Sequence, residues 1–183
     1  MEAAVASLIG GAVGALSALA GGYLTGRHLS QLERDKWLRN RADDHRKSVC
    51  LALAELARRL AAGTHEISWV TWRAKYATSE LTAEHLSNYD RAMGSVFPDM
   101  VGSRVELAGL DRQIHAQMEP LVYKLYALDE QVALAAASFN RSPESCIKGL
   151  SYCYDVCREL DHEIIDKVAG MISTNPPGEI SAG

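Results

Sequence analysis

The sequence lacks the patterns by which most enzymes are recognised. It has no glycine-rich loop between a strand and a helix to hold a phosphate group, and no Gly-x-Ser-x-Gly turn to present a nucleophilic serine. It also lacks a convincing strand pattern, an internal repeat and a low-complexity linker. We therefore predict an all-α protein that is not an enzyme, with no catalytic residue, cofactor or metal ligand to assign.

Cysteine is also scarce, and four residues make a poor disulfide set in a chain of 183 residues. Three of them lie seven and four residues apart, which places them on one face of a predicted helix together with Leu150, Leu160 and Ile164. We interpret the cysteines as reduced core residues. A thiolate metal site is the alternative, but no second Cys or His pair at ligand spacing accompanies them. The cysteines are Cys50, Cys146, Cys153 and Cys157.

Charged side chains are absent from residues 3–25, a run too long and too uniformly apolar for an ordinary surface helix. As a helix this run extends roughly 34 Å, enough to cross a hydrocarbon core of about 30 Å. We interpret residues 1–26 as a transmembrane anchor. The competing interpretation is a cleaved signal peptide with Ala18-Leu19-Ala20 as its cleavage site, but the basic segment that begins such peptides is missing.

Small residues recur every four positions along this predicted span. In lipid, small residues let two helix backbones approach closely. We predict that the spans associate, most simply as a parallel homodimer or a higher oligomer; alternatively, these residues only make a weakly apolar span without a partner. The residues predicted to form the contact are Gly10, Gly14, Ala18, Gly22 and Gly26.

Basic residues follow the predicted span, whereas only the start amine and Glu2 precede it. Positive charge near a span favours the cytoplasmic side. We therefore expect a single-pass protein of the cell (inner or plasma) membrane, with its N-terminus outside and its C-terminal domain in the cytoplasm. The same side chains attract anionic lipid headgroups, which makes membrane lipid an expected partner. The juxtamembrane basic residues are Arg27, Arg34, Lys36, Arg39 and Arg41.

The formal net charge of −4 hides an asymmetry along the chain. Residues 27–59 contain nine Lys or Arg against five Asp or Glu, whereas residues 61–183 contain ten against seventeen. The acidic distal part argues against nucleic acid as a partner.

Apolar residues at helical spacing predict an antiparallel bundle of about four helices over residues 49–173. A polar juxtamembrane helix over residues 27–48 precedes this domain, and a disordered tail over residues 174–183 follows it. The four predicted bundle helices cover about residues 49–77, 83–108, 112–139 and 143–172.

Local signals place the ends of these helices. Pro98 is predicted to kink or divide the second helix, and Ser103 with Glu106 forms a capping box that would restart it. Asp111 is predicted to cap the third helix. Ser142, which stands before a proline and a glutamate, is the best helix start in the chain.

The N-terminal third of the chain carries one resemblance. A Gly/Ala-rich span, a polar exit helix containing WLRNR and then an Ala/Leu-rich helix together resemble a loose group of uncharacterised single-span membrane proteins from high-GC actinobacteria and their phages. The resemblance covers roughly residues 5–62. It implies a membrane-anchored cytoplasmic helical domain and lends no catalytic residue.

Two residue pairs have spacings found in enzyme sites. Glu159 and His162 could offer a carboxylate and an imidazole to a di-iron centre in a bundle, but the second such pair is missing and neighbouring acids favour a solvated face. Asp111 and His115 are interpreted as a surface hydrogen bond rather than an acid–base pair.

Trp69 and Trp72 are predicted to anchor the core. If they were exposed, they would instead form an interaction hot spot.

These features predict a non-enzymatic membrane-anchored scaffold that self-associates through its span and tethers a cytoplasmic helical domain, with a further protein partner left open. Clustering would raise the local concentration of the domains. The alternative is a membrane-perturbing effector or exclusion protein of a phage or anti-phage system, which toxicity dependent on the span would indicate.

Overall fold

The computed structural model describes the backbone of residues 2–174 and the side chains of residues 29–173. Within these residues the chain forms four α-helices and one 3-10 turn, without a strand. The elements are α1 (Glu2–Tyr76), the 3-10 turn (Thr78–Glu80), α2 (Ala83–Leu110), α3 (Arg112–Ala137) and α4 (Pro143–Thr174). The predicted all-α fold is therefore confirmed for the part of the chain that the structure describes.

The chain divides into two compact units, Met1–Asp44 and His45–Gly183. In the first unit the backbone is helical from Glu2, and the described side chains, from residue 29 onward, are exposed. The predicted span, its five small contact residues and Arg27 lie outside the described side chains, as does the predicted tail. Among the residues that the structure describes, no helix is long and apolar enough to cross a membrane.

Contacts between helices show that the second unit is an antiparallel bundle. Arg59 of α1 pairs with Asp99 of α2, and Trp69 lies against His85, so residue numbers rise along one helix as they fall along the other. The other neighbouring helices also run antiparallel, as their contacts show. These contacts are Phe97–Tyr126 and Arg104–Glu119 between α2 and α3, Lys124–Glu163 and Ala135–Gly149 between α3 and α4, and Thr64–Asp161 and Lys75–Asp155 between α1 and α4. The predicted bundle of about four helices is confirmed.

The apolar stripes that the sequence predicts on α1, α3 and α4 form the core. On α1, Leu53, Leu56 and Leu60 are almost fully buried. On α3 the stripe from Met118 to Val132 is buried in the same way. Apolar stripes at helical spacing explain the bundle, because each of these helices buries one face against its neighbours.

α2 is not divided at Pro98, although division was one of the two outcomes predicted there. The helix continues without interruption through this residue, and the Ser103 hydroxyl donates to the Asp99 carbonyl within the helix instead of capping a new one. The predicted restart is therefore wrong. Val101 is 47% exposed, whereas the neighbouring Met100 is buried.

The helix caps at the chain reversals agree better with the sequence. The Asp111 carboxylate accepts hydrogen bonds from the backbone N–H groups of Gln113 and Ile114, each at 2.9 Å. Its own N–H donates to the Leu107 carbonyl at 2.8 Å, so one residue ends α2 and starts α3. α4 begins at Pro143, as predicted.

Candidate functional site

The cysteines occupy structural positions. Cys146, Cys153 and Cys157 are buried on one face of α4, as predicted, Cys50 is half-buried, and all four are free thiols. The Cys157 thiol donates to the Thr64 carbonyl oxygen at 3.2 Å. Burial, reinforced by the nearby Asp161 carboxylate, raises the pKa of this thiol to about 12. Such a thiol stays protonated near neutral pH and is a poor nucleophile or metal ligand.

The two residue pairs with enzyme-like spacings do not form sites. Glu159 and His162 are both exposed on α4. Asp111 directs its carboxylate to the start of α3, so the predicted side-chain hydrogen bond to His115 is wrong; the His115 imidazole lies 3.8 Å from Glu119 instead. Among the described residues, no three His, Cys, Asp or Glu side chains are grouped so as to hold a metal ion.

The described members of the predicted juxtamembrane basic cluster are exposed on α1. These residues are Arg34, Lys36, Arg39 and Arg41. Trp37 is also exposed, and the Arg41 guanidinium lies over its ring at 5.2 Å. Their role at a lipid surface stays a prediction.

The tryptophans give the clearest surface feature of the bundle, and the prediction that they lie in the core is wrong. Trp69 is 39% exposed, Trp72 45% and Tyr76 61%. Steps of three and four residues place these side chains on one outward stripe along the last turns of α1. Tyr154 of α4 extends the stripe, because its ring meets that of Tyr76 edge-on at 5.6 Å. We call these four residues the aromatic surface.

Charges of both signs border the aromatic surface. The Arg73 guanidinium lies 4.3 Å over the Trp69 ring and also pairs with Glu80. The Lys75 ammonium lies over the rings of Tyr76 and Tyr154, at 5.7 and 5.1 Å, and contacts Asp155 at 2.6 Å. The hydrogen bond from Lys75 to Asp155 raises the pKa of Lys75. Exposed Trp and Tyr with Arg are the side chains that most often dominate protein–protein binding energies.

A second feature was not foreseen from the sequence. The hydroxyl of Tyr89, a residue that is 5% exposed, donates to the Asp129 carboxylate at 2.5 Å and so links α2 to α3. Burial raises the pKa of the Tyr89 hydroxyl, and burial also raises the pKa of Asp129 although the hydrogen bond opposes it. The two residues are 40 positions apart, so nothing in the local sequence pattern reports the contact.

Comparison with known proteins adds no relative. No protein-family model, no curated protein and no solved structure matches the chain. The resemblance to actinobacterial and phage single-span proteins stays a prediction, and a functional interpretation depends on the residues of this chain.

Proposed function

We propose that the protein is a non-enzymatic membrane-anchored scaffold that self-associates. Residues 3–25 hold the chain in the cell membrane with the C-terminal bundle in the cytoplasm, and the small residues of the span bring copies together. The aromatic surface of one bundle then meets the same surface of a second copy. The observation that carries the proposal is the outward stripe of Trp69, Trp72 and Tyr76 on the last turns of α1.

The charges around the aromatic surface favour a second copy as its occupant. A twofold interface pairs one patch with itself, so it needs cations and anions on the same patch. Arg73 and Lys75 supply the cations, while Glu80 and Asp155 supply the anions at its edges. Spans held together in a membrane would raise the local concentration of the bundles, so that even a modest contact between them would form.

The side chains that could most readily take part in chemistry instead have structural roles, as expected of a scaffold. Cys157 donates a hydrogen bond inside the bundle, Asp111 caps a helix and Tyr89 links two helices. These hydrogen bonds stabilise the bundle, and a scaffold requires no further role from these side chains.

Exchange of Trp69 and Trp72 for Ser in the full-length chain is expected to weaken bundle association at least tenfold. Truncating a Trp at the centre of an interface typically costs about 2 kcal/mol or more, which corresponds to more than a tenfold change in Kd. Sedimentation equilibrium of the full-length chain in density-matched detergent measures the change.

The control exchanges Leu134 and Ile165 for Ser, because both are exposed apolar residues that do not belong to the aromatic surface. This control should associate like the wild type. Equal association of the Trp69/Trp72 variant and the control would remove the aromatic surface from the proposal and leave the span alone to hold the copies together.

The membrane part of the proposal has its own test. A cytoplasm-active and a periplasm-active reporter are fused in turn to the C-terminus of the full-length chain, and the size of the product is measured. We expect a cytoplasmic signal from an uncleaved chain, because basic residues follow the apolar run. An exported and shortened product would mean that the first 20 or so residues are a signal peptide, and the tethering proposal would fail.

A further inference from the structure

A polar cavity of about 210 Å³ lies between α1 and α4. Its floor is formed by Thr64 and Cys157, which are both almost fully buried. The Thr64 hydroxyl lies 3.2 Å from Asp161 Oδ1 and 3.1 Å from the Ala61 carbonyl oxygen, and the Cys157 thiol donates to the Thr64 carbonyl. The floor is therefore neutral, and its polar groups already have partners.

The walls differ from the floor because they carry charged side chains, those of the exposed Arg158 and the half-buried Asp161. Arg158 and Asp161 stand one helical turn apart on α4 and both line the cavity, with Ser68 and the exposed His65 opposite them on α1. Within the described part of the chain, neither Arg158 nor Asp161 forms an ion pair.

Elsewhere in the described bundle, several oppositely charged residues pair across neighbouring helices. The interhelical ion pairs are Arg59–Asp99, Lys75–Asp155, Arg104–Glu119 and Lys124–Glu163. An Arg and an Asp at this spacing on a helix commonly pair with each other. Arg158 and Asp161 instead leave one cation and one anion facing the same space.

We propose that this cavity binds a small zwitterion of the α-amino acid class, with its carboxylate on Arg158 and its ammonium on Asp161. A guanidinium presents two parallel N–H groups that match a carboxylate, and the second Asp161 oxygen accepts from an ammonium. At about 30 Å³ per water molecule, the volume suits a ligand of roughly seven non-hydrogen atoms. This site goes beyond membrane tethering and does not depend on it.

The test uses three small molecules and the full-length chain purified in a non-ionic detergent. L-Alanine carries both charged groups, propionate lacks the ammonium, and ethylamine lacks the carboxylate. In calorimetric titrations we expect saturable binding of L-alanine with Kd on the order of 1 mM or tighter. Propionate and ethylamine should each bind at least tenfold more weakly, because each leaves one charged side chain without a partner.

Variants locate the site. Arg158→Gln and Asp161→Asn should each weaken L-alanine binding at least tenfold, whereas Lys167→Gln and Asp166→Asn, exposed on the same helix outside the cavity, should leave it unchanged. Circular dichroism checks that each variant is folded. Absence of saturable L-alanine binding would mean that the cavity holds water only, and equal binding of propionate would reduce it to an anion site; either result overturns the proposal.

Discussion

Replacement of Leu125 by Ala is expected to lower the free energy of unfolding by about 2 to 5 kcal/mol. Leu125 lies on the buried stripe of α3, its side chain is fully buried, and its methyl groups fill the space opposite Gly63 of α1. Removing them leaves a cavity between two helices that the remaining contacts keep apart, so the site cannot easily collapse. Urea denaturation of the full-length chain followed by tryptophan fluorescence measures the loss.

Gly63 turns this substitution into a test of how α1 and α3 pack. A Cβ atom added at Gly63 would lie 2.7 Å from Leu125 Cδ2, too close for a fully buried side chain to accept without a shift. Gly63→Ala alone therefore gains about 1 kcal/mol of helix propensity and loses about 1 to 3 kcal/mol to overpacking. In the Leu125→Ala background the clash is gone and the new methyl group enters the void. There we expect Gly63→Ala to be stabilising.

The control is Gly102→Ala on α2, where nothing lies within 4 Å of the added Cβ. It should stabilise both backgrounds by a similar amount, since only helix propensity changes. If Gly63→Ala also had the same effect in both backgrounds, Gly63 and Leu125 would not be coupled, and the close approach of α1 to α3 would be contradicted.

How far the sequence predicts this fold depends on the range of the interaction. The stripes of α1, α3 and α4 repeat every three or four residues, so they are visible in the chain itself. The cap at Asp111 is local as well. The break expected at Pro98 does not occur, because a proline inside a helix removes one hydrogen bond and the packing of Met93 and Met100 on either side outweighs that loss.

The local sequence pattern indicates that Trp69 and Trp72 are exposed, although their residue type favours a place in the core. Ile67, Val70 and Ala74 are buried at steps of three and four, which sets the inward face of this part of α1. Trp69 and Trp72 fall outside that face. Large aromatic residues usually belong to a core, and here helical register decides against residue type.

The polar cavity and the Tyr89–Asp129 contact could not be predicted in this way. Thr64 and Asp161 are 97 positions apart, and the helices that carry them meet only because the bundle closes. Short-range patterns report which face of a helix is buried but not which residue of another helix lies opposite. Contacts between residues this far apart in the sequence can be identified only from the tertiary structure.

The Tyr89–Asp129 contact makes the second large prediction. Tyr89→Phe removes the donor and leaves the partly buried Asp129 carboxylate without this hydrogen bond. We expect a loss of about 1.5 to 3 kcal/mol in the free energy of unfolding at neutral pH, the usual range for a hydrogen bond to a charged group. Tyr152→Phe, at an exposed tyrosine of α4, is the control and should change stability by less than about 0.5 kcal/mol.

The pH dependence of the free energy of unfolding tests whether the Asp129 carboxylate is responsible for this loss. Burial raises the pKa of Asp129 above its ordinary value of 3.8, so the folded state binds this proton more tightly than the unfolded state does. The stability gained from that proton is fully present below pH 3.8 and is lost as pH rises through the raised pKa of Asp129. Asp129→Asn cannot ionise, so its stability relative to the wild type should increase with pH across this window.

Combining Tyr89→Phe with Asp129→Asn tests whether the Tyr89 hydroxyl stabilises the charged form of Asp129. In the Asp129→Asn background, Tyr89→Phe should cost only about 0.5 to 1.5 kcal/mol, because the lost hydrogen bond then has an uncharged acceptor. In the wild-type background its cost should shrink as pH falls towards 3.8, where the protonated Asp129 no longer needs a donor. Urea denaturation at several pH values measures both quantities. A cost of Tyr89→Phe that is the same in both backgrounds and at every pH would mean that Tyr89 contributes packing alone and that its hydroxyl does not stabilise the Asp129 charge.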